Sequence, residues 1–235
     1  MLWSKKYGFI FVKTKKTAGT SIEVLLQEYC VPVELLENSQ HKTAEIITSD
    51  GIIGFRGQFR PPFCKFYNHM SLEKIHKRLG ENEFSKCLII TSIRNPYDAA
   101  ISLFHQKYCD RAEAEHTHAT RPERLRKKFL KSVKATLDQT AYSDVGGVNR
   151  INIAIRFESL ERDLMNLAET LGLSVLASRI GTGDLPKLKQ RPAPTLELPL
   201  SAYFSDEALR LVNQKYAPWF SKGHYAQYHH FADMD

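Results

Sequence analysis

The stretch Phe9-Ile10-Phe11-Val12-Lys13-Thr14-Lys15-Lys16-Thr17-Ala18-Gly19-Thr20-Ser21-Ile22 decides how the chain is read, because its periodicity changes in the middle. Tyr7 to Val12 is short, apolar and β-prone, whereas Ile22, Leu25, Leu26 and Tyr29 recur at the i, i+3, i+4, i+7 spacing of one helix face. Between them lies a basic, hydroxyl-rich turn, with Thr20 or Ser21 as the expected N-cap and Glu23 in the first helical turn. A strand, turn and helix in that order aim main-chain N–H groups and the positive end of a helix dipole at one point, a seat for phosphate or sulfate. The residue order is not that of a Walker A loop, which needs G-x-x-x-x-G-K-[ST]; here Lys16 precedes the loop's only glycine, Gly19.

Composition sets the bounds. With 235 residues, 43% of them hydrophobic and 25% charged, the chain is expected to form one globular α/β domain over residues 1–235. No apolar run reaches membrane-spanning length, and Met1-Leu2-Trp3-Ser4-Lys5-Lys6 lacks the apolar core of a signal peptide, so the expectation is a cytoplasmic protein without membrane contact. The four cysteines, Cys30, Cys64, Cys87 and Cys109, are widely spaced with no C-x-x-C, which suits reduced, packed thiols. A formal net charge of +7 implies an anionic partner. No RNA-binding signature, finger spacing or internal repeat accompanies it, so nucleic acid is not expected.

A second anchor follows the run Cys87-Leu88-Ile89-Ile90-Thr91-Ser92-Ile93, continuous and β-branched as in buried parallel strands. Arg94-Asn95-Pro96-Tyr97-Asp98 then reads as a helix start: Asn95 caps, Pro96 suits the first helical position and Asp98 complements the dipole. Tyr97, Ile101, Phe104 and Tyr108 are the expected apolar stripe. Arg94 is thus predicted at the carboxyl end of a strand, where α/β folds bind ligands.

Lys16-Thr17-Ala18-Gly19-Thr20-Ser21 after a strand, together with Arg94-Asn95-Pro96-Tyr97-Asp98 and a serine eight residues beyond the arginine, Ser102, resembles the two nucleotide-binding signatures of sulfotransferases. That family uses 3′-phosphoadenosine 5′-phosphosulfate. The resemblance extends to Ile155-Arg156-Phe157-Glu158-Ser159-Leu160 with Leu164, Leu167, Ala168 and Leu171, similar to a strand-then-helix segment, and to the aromatic closing part from Tyr203 to Tyr225. It departs where Lys15 stands in place of the usual proline and Ala18 in place of the first of two glycines, and it is weakest over 110–150.

The resemblance implies a three-layer α/β/α fold around a mainly parallel sheet, P-loop NTPase-like in architecture. It assigns the 5′-phosphosulfate to Lys16, Thr17, Ala18, Gly19, Thr20 and Ser21, and the 3′-phosphate to Arg94 and Ser102. The implied partner is a carbohydrate or small-metabolite acceptor, and no metal is implied. Sulfuryl transfer moves an anion in line between two oxygens, so positioning and charge stabilisation carry it. Lys16 would stabilise charge on the departing phosphate oxygen, and the guanidinium of Arg94 can hold two oxygens at once.

A hydroxyl acceptor needs a base, and among nine histidines His69, in Tyr67-Asn68-His69-Met70-Ser71, lies just before a helical run. Its placement resembles the G-H-x-[ST] base of carbohydrate sulfotransferases. Glu23 is the reserve candidate, better read as a dipole partner. Lys189 and Arg191, in an irregular basic stretch rich in proline, are expected to contact phosphate as the loop that closes over nucleotide in the family. The run Arg121 to Lys134 reads as a solvated amphipathic helix with Phe129, Leu130, Val133 and Leu137 on its apolar face, and His116-Thr117-His118 as a surface loop. The alternatives are a P-loop-type kinase, disfavoured by the absent Walker A order and by Arg94 where a metal-binding Asp is needed, and a non-catalytic binder of adenosine bisphosphate or an acidic polymer.

Overall fold

Along Phe9-Ile10-Phe11-Val12 successive side chains point to opposite sides, so Phe9 and Phe11 enter one apolar cluster while Ile10 and Val12 enter another. In the computed structural model, which describes residues 1–36, 43–57, 60–184 and 198–234, this strand lies inside a six-stranded sheet. The chain divides into two compact units, Met1–Ile93 with Ala141–Lys189 and Arg94–Thr140 with Gln190–Asp235.

The first unit carries the sheet. Its elements are β1 (Leu2–Ser4), β2 (Phe9–Val12), α1 (Gly19–Leu26), β3 (Ile46–Ile47), β4 (Gly51–Ile53), α2 (Leu72–Leu79), α3 (Glu81–Phe84) and β5 (Leu88–Ile93). After the second unit's α4 (Pro96–Lys107), α5 (Arg111–Thr120) and α6 (Pro122–Lys134), the chain returns to it as β6 (Asp144–Val145), β7 (Val148–Asn149), β8 (Ile153–Arg156), α7 (Leu160–Leu171) and α8 (Ser174–Gly181). The second unit is completed by α9 (Asp206–Lys215) and α10 (Ala217–Gly223).

The strand order is β3-β4-β1-β2-β5-β8. The protein is α/β, but its sheet is mixed where a mainly parallel one is expected: β2, β5 and β8 run parallel, whereas β1–β2, β1–β4 and β3–β4 pair antiparallel. The reason is local, since the turns after Ser4 and after Ile47 are too short for a crossover and force the chain back on itself. On one sheet face Phe9, Phe11, Ile90 and Ile155 pack with Ile22 and Leu25 of α1, Leu164 and Leu167 of α7 and Leu176 of α8. On the other, Ile10, Val12, Ile52 and Ile89 pack with Leu72 and Ile75 of α2 and Phe84 of α3.

The regular elements among the described residues of the second unit are all helices. Asn95 caps α4, its side chain accepting from Tyr97 N, with Pro96 at the first position. Only half of the expected stripe is buried. Tyr97 and Phe104 are, but Ile101 is half-buried and Tyr108 is 43% exposed, and Ala99, Ala100 and Leu103 complete the inner face instead. On α6, Leu125, Phe129 and Val133 are buried at helical spacing, Phe129 stacking edge-on against Phe204, while Leu137 is exposed beyond the helix end. His116 and His118 lie on helix α5 and not in a loop; Asp110 caps that helix through Glu113 N, and only the small Ala114 and Thr117 face inward, which leaves no apolar stripe to read. Among the described residues no helix is long and apolar enough to cross a membrane, and no three His, Cys, Asp or Glu side chains are grouped as a metal site.

Candidate functional site

The loop between β2 and α1 takes its shape from its backbone. Lys16 (φ 65) and Ala18 (φ 59) both adopt left-handed conformations, which non-glycine residues pay for with roughly 1–2 kcal/mol each. Ala18 is the N-cap of α1, without a side-chain cap, so the cap is neither Thr20 nor Ser21; these form the first turn. Lys16 and Ala18 flank Thr17 as left-handed residues, a kind of backbone that can turn neighbouring N–H groups to one side. Ser21 N donates to Ala18 O at 2.9 Å, so its N–H belongs to the first turn of the helix. The N–H groups of Thr17, Ala18, Gly19 and Thr20 have no acceptor among the described residues. Lys16 is half-buried in the same loop.

Hydroxyls tie this loop to β5. Thr14 Oγ1 donates to Ser92 O, Thr17 Oγ1 lies 2.7 Å from Ser92 Oγ and 2.9 Å from Thr14 Oγ1, and Thr91 Oγ1 donates to Val12 O at 2.9 Å. The Thr17 side chain therefore shapes the loop through its hydroxyl.

Below the loop is a buried charge cluster. Glu23 accepts from Lys13 Nζ at 2.5 Å, from the Met1 amine at 3.1 Å and from Arg56 Nη1 at 3.4 Å, and Arg56 Nη2 donates to Gln27 Oε1 at 3.1 Å. Lys13, Glu23 and Arg56 are all buried. Burial alone would raise the Glu23 carboxyl, but the Met1 amine, the Lys13 ammonium and the Arg56 guanidinium outweigh it and hold the group at about 2. Glu23 is thus a buried, triply paired anion beyond the first helical turn, which corrects its reading as a dipole partner and removes it as a base. Gly19 lies over this pair. A Cβ there would stand 2.9 Å from Lys13 Cγ, so the side chain of Lys13 reaches Glu23 only beneath a glycine.

His69 comes to the same place from distant sequence. It precedes α2, has φ 53, and its Nδ1 is 3.2 Å from Lys13 O. With Nδ1–H donating to that carbonyl, Nε2 is the nitrogen left to accept a proton. Burial and then the Lys13 ammonium push the imidazole down to about 3, and Lys15 acts in the same direction, so the ring is neutral near pH 7. The structure therefore joins His69 to Lys13, three residues before the 16–21 stretch.

Arg94 and Ser102 lie in the second unit, Arg94 immediately before the Asn95 cap and Ser102 two turns into α4; both are half-buried. Lys189 and Arg191 lie outside the described residues. At the end of β8, Arg156 makes a two-pronged pair with Asp163 (3.0 and 3.1 Å), which also accepts from Arg156 N and Ser159 Oγ. Burial opposes ionisation of Asp163, but these donors outweigh it and hold the carboxyl at about 2. This lock fixes the turn from β8 into α7.

Sequence reasoning missed Lys13, Thr14, Arg56 and Ser92. Lys13 carried one signal, a charged residue continuing a fully buried strand, which requires a buried partner; Arg56 and Ser92 carried none, because their partners are 33 and 75 or more residues away. Comparison of the chain with protein-family models, curated proteins and solved structures finds no match.

Proposed function

We propose that the protein is a sulfotransferase that moves a sulfonate from 3′-phosphoadenosine 5′-phosphosulfate to the hydroxyl of a carbohydrate or small metabolite in the cytoplasm, on a three-layer α/β/α, P-loop-like framework. The observation that carries the proposal is the meeting of His69 with the base of the 16–21 loop, Nδ1 to Lys13 O at 3.2 Å. It supports the reading together with the N–H groups of Thr17 to Thr20, which have no acceptor among the described residues. On this proposal the loop supplies donors for the departing oxyanion and His69 the base for the incoming hydroxyl.

In this reading the N–H groups of Thr17, Ala18, Gly19 and Thr20 hold the 5′-phosphosulfate oxygens, and the Lys16 ammonium neutralises charge on the phosphate oxygen as its bond to sulfur breaks. His69 Nε2 takes the acceptor proton as the new oxygen–sulfur bond forms. Arg94 and Ser102 take the 3′-phosphate, the guanidinium as a fork and the serine as a single donor. No metal takes part in these steps.

Calorimetric titration with adenosine 3′,5′-bisphosphate, AMP and ATP tests the nucleotide assignment. The bisphosphate is expected to bind at least tenfold more tightly than AMP, a preference lost in Arg94→Ala; equal affinities would overturn it. An acceptor screen with the sulfonate donor separates an enzyme from a silent binder, and phosphoryl transfer from ATP would favour the kinase reading.

A further inference from the structure

Lys13 is the residue through which the parts of the site meet, yet neither its side chain nor its carbonyl faces a ligand in the proposed reaction. Its side chain runs under Gly19 to Glu23, which clamps Nζ at 2.5 Å, while its main-chain oxygen receives His69 Nδ1. Glu23 is held in turn by Arg56, itself held by Gln27. A buried lysine so fixed cannot rotate away without stranding two opposite charges in the core.

We propose that Lys13 and Glu23 are positioning residues for His69: the Glu23 clamp fixes Lys13, whose carbonyl selects the Nδ1–H tautomer of the ring and leaves Nε2 as its accepting nitrogen. The inference rests on the reading of His69 as the base, but concerns only how the ring is held. The charged groups facing the imidazole are Lys13 and Lys15 from the loop, Glu23 from α1 and the Met1 amine at the start of β1. Burial is the largest influence that keeps the ring neutral; Lys13, Lys15 and the Met1 amine add to it and Glu23 opposes it. Burial alone would leave the tautomer undetermined; the carbonyl is what chooses it.

The test is nuclear magnetic resonance of the intact protein labelled with ¹⁵N in histidine, which requires no activity. In the wild-type protein the His69 nitrogens are expected to report a protonated Nδ1 and a bare Nε2 across pH 5 to 8, with no titration in that range. Lys13→Met, which releases the Glu23 clamp, is expected to turn the single Nδ1–H form into a mixture of the two tautomers, and Lys13→Arg, which keeps the ion pair, to restore it. An Nε2–H tautomer in the wild-type protein would overturn the proposal, even if Lys13→Met did not fold. So would an unchanged tautomer in a folded Lys13→Met protein. Should the tautomer behave as stated while no acceptor is sulfonated, the positioning role stands and the proposed reaction fails.

Discussion

The hydroxyl of Thr17 lies 2.7 Å from that of Ser92, fastening the middle of the loop between β2 and α1 to the end of strand β5. Ser92 is fully buried, and its carbonyl also accepts from Thr14. Ser92→Ala removes one partner from a buried hydroxyl pair, which costs about 1–2 kcal/mol. Thermal unfolding is expected to shift down by roughly 2–8 °C, while Ser102→Ala, on half-exposed helix surface, shifts it by less; equal shifts would refute the fastening role.

The left-handed backbone of Ala18 is a standing cost. Ala18→Gly relieves roughly 1–2 kcal/mol of steric strain and forfeits up to about 1 kcal/mol of chain entropy. The variant is therefore expected to gain stability, by about 0.5–1 kcal/mol in denaturant midpoints, where glycine substitutions in ordinary helix positions lose it. A loss would mean that the loop draws no strain from this residue.

Gly19→Ala works in the opposite direction. Its Cβ would press to 2.9 Å on Lys13 Cγ, and Lys13 cannot yield without loosening its bond to Glu23. A cost of about 1–3 kcal/mol is expected from overpacking, although alanine is the better helix former. Calorimetric unfolding of the variant measures it.

Acid sensitivity follows from three groups, all with folded values below their unfolded ones. Because His69 binds its proton at about 3 in the folded chain and near 6.5 when unfolded, the unfolded state takes up more protons between these values, and stability is lost as pH falls through that window. Glu23 and Asp163, each at about 2 in the folded protein, contribute stability that is present above about 4.5 and 3.8 and lost below. Between pH 6.5 and 4.5 the wild type is thus expected to lose up to about 1.4 kcal/mol per pH unit more than His69→Gln. Denaturant unfolding at several pH values checks this; parallel curves would remove the depressed histidine.

With an acceptor in hand, His69→Ala is expected to lower turnover by roughly 10²–10⁴-fold while leaving bisphosphate affinity nearly intact. Lys16→Met should cost about 10²–10³-fold, through a group whose charge is needed most as the leaving oxygen departs. Unchanged turnover in the first variant would remove His69 as the base.

The parallel part of the sheet was legible because β2, β5 and β8 are apolar runs that end in turn chemistry, and α4 because Asn95 and Pro96 mark its start. The antiparallel part was not: β1, β3 and β4 are two or three residues long, too short for any periodicity to show. Local rules placed the α1 cap on Thr20 or Ser21 because those rules count side-chain caps, whereas Ala18 caps by backbone conformation alone. Glu23 was misread for a different reason, since its counter-charge from Arg56 lies 33 residues away in sequence. His69 could be picked out by type and place, but not the carbonyl that orients it.

The pairing of β5 with β8, Ile90 opposite Ile153, sets a condition on how this chain can be made. All of α4, α5 and α6 lies between the two strands, so during synthesis β5 emerges with one edge unpaired and keeps it until Arg156 has left the ribosome. Such a non-local closure is slow, and an open apolar edge is open to wrong partners meanwhile. Folding of the first unit therefore waits on residues made after the helices, and a fragment ending at Ile93 is expected to aggregate where the full chain does not.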